Sequence, residues 1–262
     1  MSTKPRILLF DVENAPNIAY TWALYQDINS MKFIKENWFM MCWCAKWLGD
    51  KKVHSSALPD FDYYKKHPKC DRLIMKALRK LLDEADIVIA HNGARFDVRK
   101  ANARFIVHGI EPPSPYRIID TLKEARKHFM FTSNRLDDLG RILGVGRKIA
   151  TGGFELWVEC LDGNKTAWNK MVKYCKQDVL LLERVYKKLL PYMTSHPNLS
   201  IYLSKQFAVC GSCGSGNIMK NGHVYTQASK YQRYKCKDCY SSGRYVTNVN
   251  KKDMKKQTRS IK

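Results

Sequence analysis

Short apolar runs alternate with helical periodicities over the first three quarters of the chain. Residues 6–12 are apolar and β-branched and lead into Asp11 and Glu13, the pattern of a buried strand with acids at its exit. Residues 38–48 and 52–57 read as two more strands around the turn Gly49-Asp50, which predicts an antiparallel meander. Helical spacing over residues 68–84 sets Leu73, Ala77 and Leu81 on one face, and a strand follows at 86–91. Residues 94–108 read as a helix closed by Gly109 and Pro112, 117–120 as a strand, and 136–143 as a helix capped by Ser133. Residues 144–153 are glycine-rich and read as an exposed loop carrying Arg147 and Lys148. The longest pattern, 166–190, turns Val172, Cys175, Val179, Leu182 and Leu189 toward a core and stops at Pro191. Strands alternating with helices predict the α/β class.

Beyond residue 190 the pattern changes. Residues 191–206 read as a connector, and the segment after it sets cysteine pairs among Gly, Ser and Tyr. The last residues are polar and basic, a composition expected to stay disordered when unbound. The expected division is a domain at 1–195, a small module at 207–247 and a flexible tail at 248–262. A chain of 262 residues can bury a substantial core, which excludes a peptide hormone or a disulfide knot.

Charge then narrows the function. The net charge is +22, and half of it falls from residue 200 onward, where thirteen Lys and Arg face only Asp238 and Asp253. Such a field attracts polyanions, with nucleic acid first among them. No apolar run is long enough to span a membrane and no apolar leader opens the chain, so the expected location is a reducing cytoplasm, or a host's cytoplasm if the source is a phage. Of the nine cysteines, the four that fall in two late Cys-x-x-Cys pairs read in that compartment as metal ligands before disulfides.

The candidate chemistry starts with carboxylates. Asp11 and Glu13, two apart on a strand, leave the same face and can approach one divalent cation, although Glu13 alone also fits a solvated strand end. Asp97 follows the turn Asn92-Gly93 in His91-Asn92-Gly93-Ala94-Arg95-Phe96-Asp97, where an acid also compensates a helix dipole. Tyr174 and Asp178 lie one turn apart on one helix face, so the phenol can stand beside an ion held by Asp178; singly, Tyr174 fits a packing role. Phe96 is read as core and Asp120 as structural.

In this order the acids resemble the DEDD superfamily of 3′→5′ exonucleases, which have the ribonuclease H-like fold. Phe10-Asp11-Val12-Glu13 matches the first motif, and Asn92 to Asp97 matches the Asn-x-x-x-Phe-Asp form of family B DNA polymerase exonuclease domains. Tyr174 four before Asp178 matches the tyrosine subclass; the histidine subclass would place histidine where Lys173 stands. The resemblance implies a mixed sheet flanked by helices and two Mg²⁺ or Mn²⁺ ions. It further implies that Asp11 bridges both ions, Glu13 and Asp178 complete the nucleophile-side ion, Asp97 helps hold the second, and Tyr174 orients the attacking water.

Cys210-x-x-Cys213 and Cys236-x-x-Cys239, separated by 22 residues, can supply four thiolates to one structural Zn²⁺ and so stabilise a segment too small for its own core. His196 and His223 are spare donors. The segment resembles zinc ribbons of insertion-element transposase proteins, which implies DNA contact. Arg233, Lys235, Lys237 and Arg244 alternate with Tyr231, Tyr234, Tyr240 and Tyr245, which offers phosphate contacts beside stacking rings, or else an ordinary solvated basic face with the tyrosines packing the small ribbon. Lys251, Lys252, Lys255, Lys256 and Arg259 in the tail would add unspecific phosphate affinity.

The expected function is a metal-dependent 3′→5′ exonuclease on DNA, taking single-stranded 3′ ends. The alternatives are an exoribonuclease or structure-specific nuclease on the same fold, or a non-catalytic DNA-binding recruitment protein. A separate polymerase or a replication or recombination protein is the expected partner, and no membrane is.

Overall fold

The structure is a computed structural model that describes residues 4–25, 27, 30–203 and 207–250. The basic tail residues from Lys251 onward lie outside the described residues. The chain divides into two compact units, Arg6–Tyr186 and a second formed by Met1–Pro5 with Lys187–Lys262.

In the larger unit, β1 (Ile7–Asn14) is followed by a two-stranded antiparallel ribbon of β2 (Ile18–Ala19) and β3 (Ile34–Glu36). Then come β4 (Met40–Trp47), β5 (His54–Ala57), α1 (Arg72–Asp83), β6 (Ile87–Ala90), α2 (Asp97–Val107) and β7 (Arg117–Asp120). Helices α3 (Thr121–His128), α4 (Leu136–Ile142), α5 (Glu155–Leu161) and α6 (Lys165–Leu189) complete the series. One mixed sheet runs β5-β4-β1-β6-β7. β1 pairs antiparallel with β4 and parallel with β6, so the meander expected from the sequence forms one half and βαβ connections form the other. Leu8, Leu9 and Phe10, all of β6, and β4 from Met40 to Ala45 are buried. Strands buried on both faces need apolar cover on both sides, and helices supply it.

Helix α1 forms as its periodicity predicts, but its buried stripe is Ile74, Met75, Leu78 and Leu82, with Leu73, Ala77 and Leu81 on the half-buried flank. The two sets share one helical spacing, and the one that includes Ile74 and Met75 is the one buried. Ser133 does not cap α4. Arg135 is the N-cap residue, while Ser133 Oγ donates to Asp138 Oδ2 at 2.6 Å and tethers the approach to the helix. Helix α5 was not expected: it is seven residues long and buries only Leu156 and Cys160, too short for a periodicity to register.

Two polar ties fix how elements meet the sheet. Lys46 Nζ of β4 donates to Glu183 Oε2 of α6 at 2.5 Å, with both side chains almost wholly buried. Asp71, fully buried before α1, accepts from Met40 N and from both Arg104 Nε and Nη2 of α2, and its Oδ1 lies 2.5 Å from His108 Nε2.

In the second unit, β8 (Ile218–Tyr225), β9 (Lys230–Cys236) and β10 (Ser242–Asn248) form an antiparallel sheet in the order β10-β9-β8. Among the described residues, the cluster under this sheet is Cys210, Tyr234 and Cys236, with Cys213, Ile218, Cys239 and Tyr245 packed against them. Among the described residues no helix is long and apolar enough to cross a membrane.

Candidate active site and metal centres

The register of β1 on β4 sets Asp11 opposite Cys44 and Glu13 opposite Cys42, so two carboxylates and two thiols share one face of the sheet. Helix α6 covers that face: Cys44 Sγ lies 3.8 Å from Val172 O, and the Cys175 thiol donates to Asp11 O at 3.6 Å and Asp11 Oδ2 at 3.7 Å. One ligand atom each from Asp11, Glu13 and Cys175 lie within 4.8 Å of one another. Asp97 and Asp178 are not members of that tight group but act on it electrically.

Asp97 begins α2 and reaches β1 directly. The parallel register with β6 ends at Leu9, and farther along β1 the N–H of Val12 donates to Asp97 Oδ1 at 3.3 Å. The turn that delivers Asp97 is tightly built. Asn92 has φ 63°, and its N–H and that of Ala94 donate to Asp120, which also caps α3 by accepting from Leu122 N and Lys123 N. A Cβ on Gly93 would stand 2.2 Å from Ala90 Cβ, so only glycine fits there. Asp120 is thus a cap for the turn. Phe96 is not core: it is 44% exposed, with Lys100 Nζ 5.6 Å from its ring centre.

On α6 the ring of Tyr174 meets Trp157 of α5 edge-on at 6.4 Å, and Asp178 is buried. Sequence reasoning missed the group between them. Lys148 leaves the loop read as exposed and inserts its ammonium here, donating to Asp178 Oδ2 at 2.6 Å and Tyr174 Oη at 2.9 Å. Its backbone N–H donates to Asp137 Oδ1 at 2.6 Å, and Arg184 Nη1 donates to Val145 O at 3.2 Å. A Cβ on Gly140 would stand 2.6 Å from Gly146 O, so a glycine in α4 lets this loop come close. The glycine-rich composition suggests solvent, whereas these contacts draw the loop inward.

Burial, then the charges of Asp97, Glu13 and Asp178, holds the Asp11 carboxyl well above its ordinary range. Burial and Asp178 push Glu13 up to about 8, and burial lifts Asp97 to about 7 against the hydrogen bond from Val12. Asp178 is raised by burial, with Lys148 opposing. Burial and the Asp178 charge raise the Tyr174 phenol, so it remains a protonated hydroxyl at neutral pH. Burial works against the Lys148 charge, but Asp178 and Tyr174 more than offset it and keep the ammonium protonated.

Such a cluster fits a hard divalent cation. Asp178 Oδ1 is buried with no hydrogen-bond partner, and the surrounding donors are carboxylate oxygens that give up protons readily only to a competing positive charge. A cleft of about 650 Å³ adjoins the cluster, lined among others by Asn92, Arg126, Ser133, Asn134, Arg135 and Lys148. In its wall His91 spans Thr121 Oγ1 at 2.9 Å and Asn134 O at 3.0 Å; burial lowers its pKa to about 4, so the ring is neutral and braces the cleft.

The second candidate centre is soft. Cys210, Cys213, Cys236 and Cys239 bring their sulfurs within 4.8 Å of one another, with Cys210–Cys239 and Cys213–Cys236 at 3.7 Å. Four sulfurs at the usual zinc–thiolate bond length of about 2.3 Å stand about 3.8 Å apart at tetrahedral corners, so the spacing fits that ion. Neither His196 nor His223 belongs to this group.

On β9, Arg233 and Lys235 leave the face opposite Tyr234 and Cys236, Lys237 continues the alternation, and Arg244 pairs across from Arg233. All four cations are exposed. Of the tyrosines, Tyr234 is buried, its hydroxyl accepting from Gly211 N at 2.9 Å, and Tyr245 packs edge-on to it at 6.0 Å, so neither is a free stacking ring. Tyr240 is exposed, and Tyr231 lies under Arg244 at 3.8 Å.

Comparison with known proteins agrees with this architecture. Among solved structures, the chain is similar to the family B DNA polymerase from the hyperthermophilic archaeon Pyrobaculum calidifontis, with a TM-score of 0.52 and 16% identity. That match covers 72% of this chain and 25% of the polymerase, so the chain spans about a quarter of its length. No curated protein matches. The RNase_H superfamily profile matches residues 45–190, from the end of β4 through α6. With the mixed sheet and its flanking helices, that match over more than half of the chain makes this protein a member of the RNase_H superfamily.

Proposed function

We propose that the protein is a metal-dependent 3′→5′ exonuclease of the tyrosine DEDD subclass, acting on single-stranded 3′ ends of DNA. The observation that carries this reading is the buried, unpartnered Oδ1 of Asp178 beside Tyr174, in a cluster where burial and the charges of Asp97, Glu13 and Asp178 raise the proton affinity of Asp11, and burial, Asp178 and Asp97 that of Glu13. Carboxylates gathered at such electrostatic expense are what a divalent site requires.

Asp11, Glu13, Asp97 and Asp178 would hold two Mg²⁺ or Mn²⁺ ions, which when bound supply charge for the attacking and leaving oxygens of phosphodiester hydrolysis. Tyr174, kept protonated, orients the attacking water through its hydroxyl and does not act as a base. Asn92, Arg126 and Arg135 in the adjoining cleft meet the strand, with arginine suited to phosphate. We assign hydrolysis to residues 1–195 and strand holding to a zinc ribbon at 207–247 with the tail at 248–262. In that ribbon Cys210, Cys213, Cys236 and Cys239 bind one structural Zn²⁺. Arg233, Lys235, Lys237 and Arg244 contact phosphate, and a separate polymerase or recombination protein would use the trimmed end.

The test is a panel of DNA and RNA, single- and double-stranded, labelled at either end, with Mg²⁺, Mn²⁺ or chelator. Metal-dependent release of mononucleotides from DNA 3′ ends is expected. Release from 5′ ends, metal-independent cleavage or binding without cleavage contradicts the proposal, and preference for RNA moves it to an exoribonuclease.

A further inference from the structure

Lys148 has a position that the proposed hydrolysis does not explain. Its ammonium takes Asp178 Oδ2 at 2.6 Å and Tyr174 Oη at 2.9 Å, the carboxylate proposed for an ion and the phenol proposed for the water. Its side chain is 31% exposed and that of Asp178 1%, so the pair is sealed on the acid's side and open on the lysine's. The open side is the cleft of about 650 Å³, whose walls include Lys148 itself.

Resting on the reading that this cluster binds a divalent ion, we propose that Lys148 is an internal counter-cation that the incoming ion displaces from Asp178 and Tyr174, so that this lysine sets the metal affinity of the site.

Three features favour exchange over a permanent bridge. A lysine ammonium and a divalent ion on one buried carboxylate repel each other in a medium that screens poorly. While the ammonium donates to Tyr174 Oη, it fills the place on that hydroxyl where a water would donate. The backbone of Lys148 is pinned through its N–H to Asp137 Oδ1, whereas its four-carbon stem is flexible, so the head can swing into the cleft with the loop in place.

The test uses the full zinc-loaded chain without nucleic acid. Mn²⁺ binding is followed by the electron paramagnetic resonance of the free ion for wild type, Lys148→Met and Lys148→Arg. Amine acylation of Lys148 is followed by peptide mass spectrometry with and without Mn²⁺. Exchange predicts at least tenfold tighter Mn²⁺ binding for Lys148→Met, near wild-type binding for Lys148→Arg, and faster acylation of wild-type Lys148 once Mn²⁺ is bound. Equal or weaker binding by a folded Lys148→Met overturns the inference, as does an acylation rate indifferent to Mn²⁺. If Lys148→Met does not fold, the acylation of wild type decides. Hydrolysis of labelled DNA is scored separately: exchange without hydrolysis sinks the nuclease reading and keeps this inference, and hydrolysis without exchange does the reverse.

Discussion

The two candidate metal centres differ in what their surroundings can do without an ion. The carboxylate cluster sits on a sheet whose central strands are buried on both faces, and its own polar groups are tied by Lys148 and by the N–H of Val12. The cysteine centre is the core of the three-stranded sheet: among the described residues, Tyr234, Ile218 and Tyr245 pack with the sulfurs there. On the proposed function the first fold forms before its ion, which would serve chemistry, whereas in the second the proposed ion would replace a core too small to hold three strands. Their donors follow the same division, oxygen where a phosphate must be reached and sulfur where the site is closed.

The sharpest way to break this contrast is at the sulfurs. Cys213→Ser, or zinc removal by chelation, is expected to abolish amide protection in β8, β9 and β10 while β1, β4 and β6 keep theirs, as read by hydrogen exchange and mass spectrometry. Protection that persists in the ribbon would show that the ion is dispensable to it. Next in size, Asp11→Asn should reduce hydrolysis by roughly 10³-fold or more while the metal-free chain melts no lower than wild type, since the substitution replaces a carboxyl whose ionisation burial and its neighbours oppose. A lower melting temperature would make Asp11 structural.

The larger unit also holds a buried ion pair, Lys46 with Glu183. Lys46→Met leaves Glu183 without its Lys46 partner and should destabilise this unit by about 3–5 kcal/mol in denaturant titration, with Glu183→Leu in the same chain recovering most of the loss. Because Glu183 lies on the helix that carries Tyr174 and Asp178, an unchanged midpoint would mean that apolar packing alone positions that helix.

A pH series separates the centres again. Glu13 is raised to about 8 and Asp97 to about 7, above the ordinary carboxylate range of the unfolded chain. The folded, metal-free protein therefore binds protons more tightly than the unfolded one between that range and these values. The associated stability is present at low pH and is lost as pH rises through about 7 to 8. A divalent ion needs the deprotonated acids, so the rise in melting temperature caused by Mn²⁺ should be larger at about pH 8.5 than at about pH 6. An equal rise at both would contradict the raised values. The smallest effect belongs to the basic face: replacing Arg233, Lys235, Lys237 and Arg244 by Gln should lower the log–log salt slope of single-stranded DNA binding by about 3 and spare saturated turnover.

Strand alternation and the one-turn spacing on a helix made Asp11, Glu13, Tyr174 and Asp178 legible, because both follow from local geometry. Lys148 was not legible. Its entry depends on Gly140 yielding to Gly146 and on Asp137 holding its backbone, contacts between segments far apart in sequence from Asp178. The helical spacing of Cys175 predicts a core residue, and it is one, but the packing of α6 over β1 also makes it a donor to Asp11. For Tyr234 the sequence offers stacking or packing, and its parity with Cys236, which turns it toward the sulfurs, decides for packing. Fold class followed from the alternation of strands and helices, whereas α5 and the small β2–β3 ribbon carry too few buried residues to leave a pattern.

The account's central claim is that the carboxylate cluster removes nucleotides from a 3′ end only with a divalent ion. Its most direct test is single-turnover cleavage of a 5′-labelled single-stranded DNA by wild type and Asp178→Asn, each with Mn²⁺ or with chelator. The account predicts a ladder shortening from the 3′ end for wild type with Mn²⁺ and intact strand in the other three reactions. A ladder from Asp178→Asn, or from wild type in chelator, would contradict it.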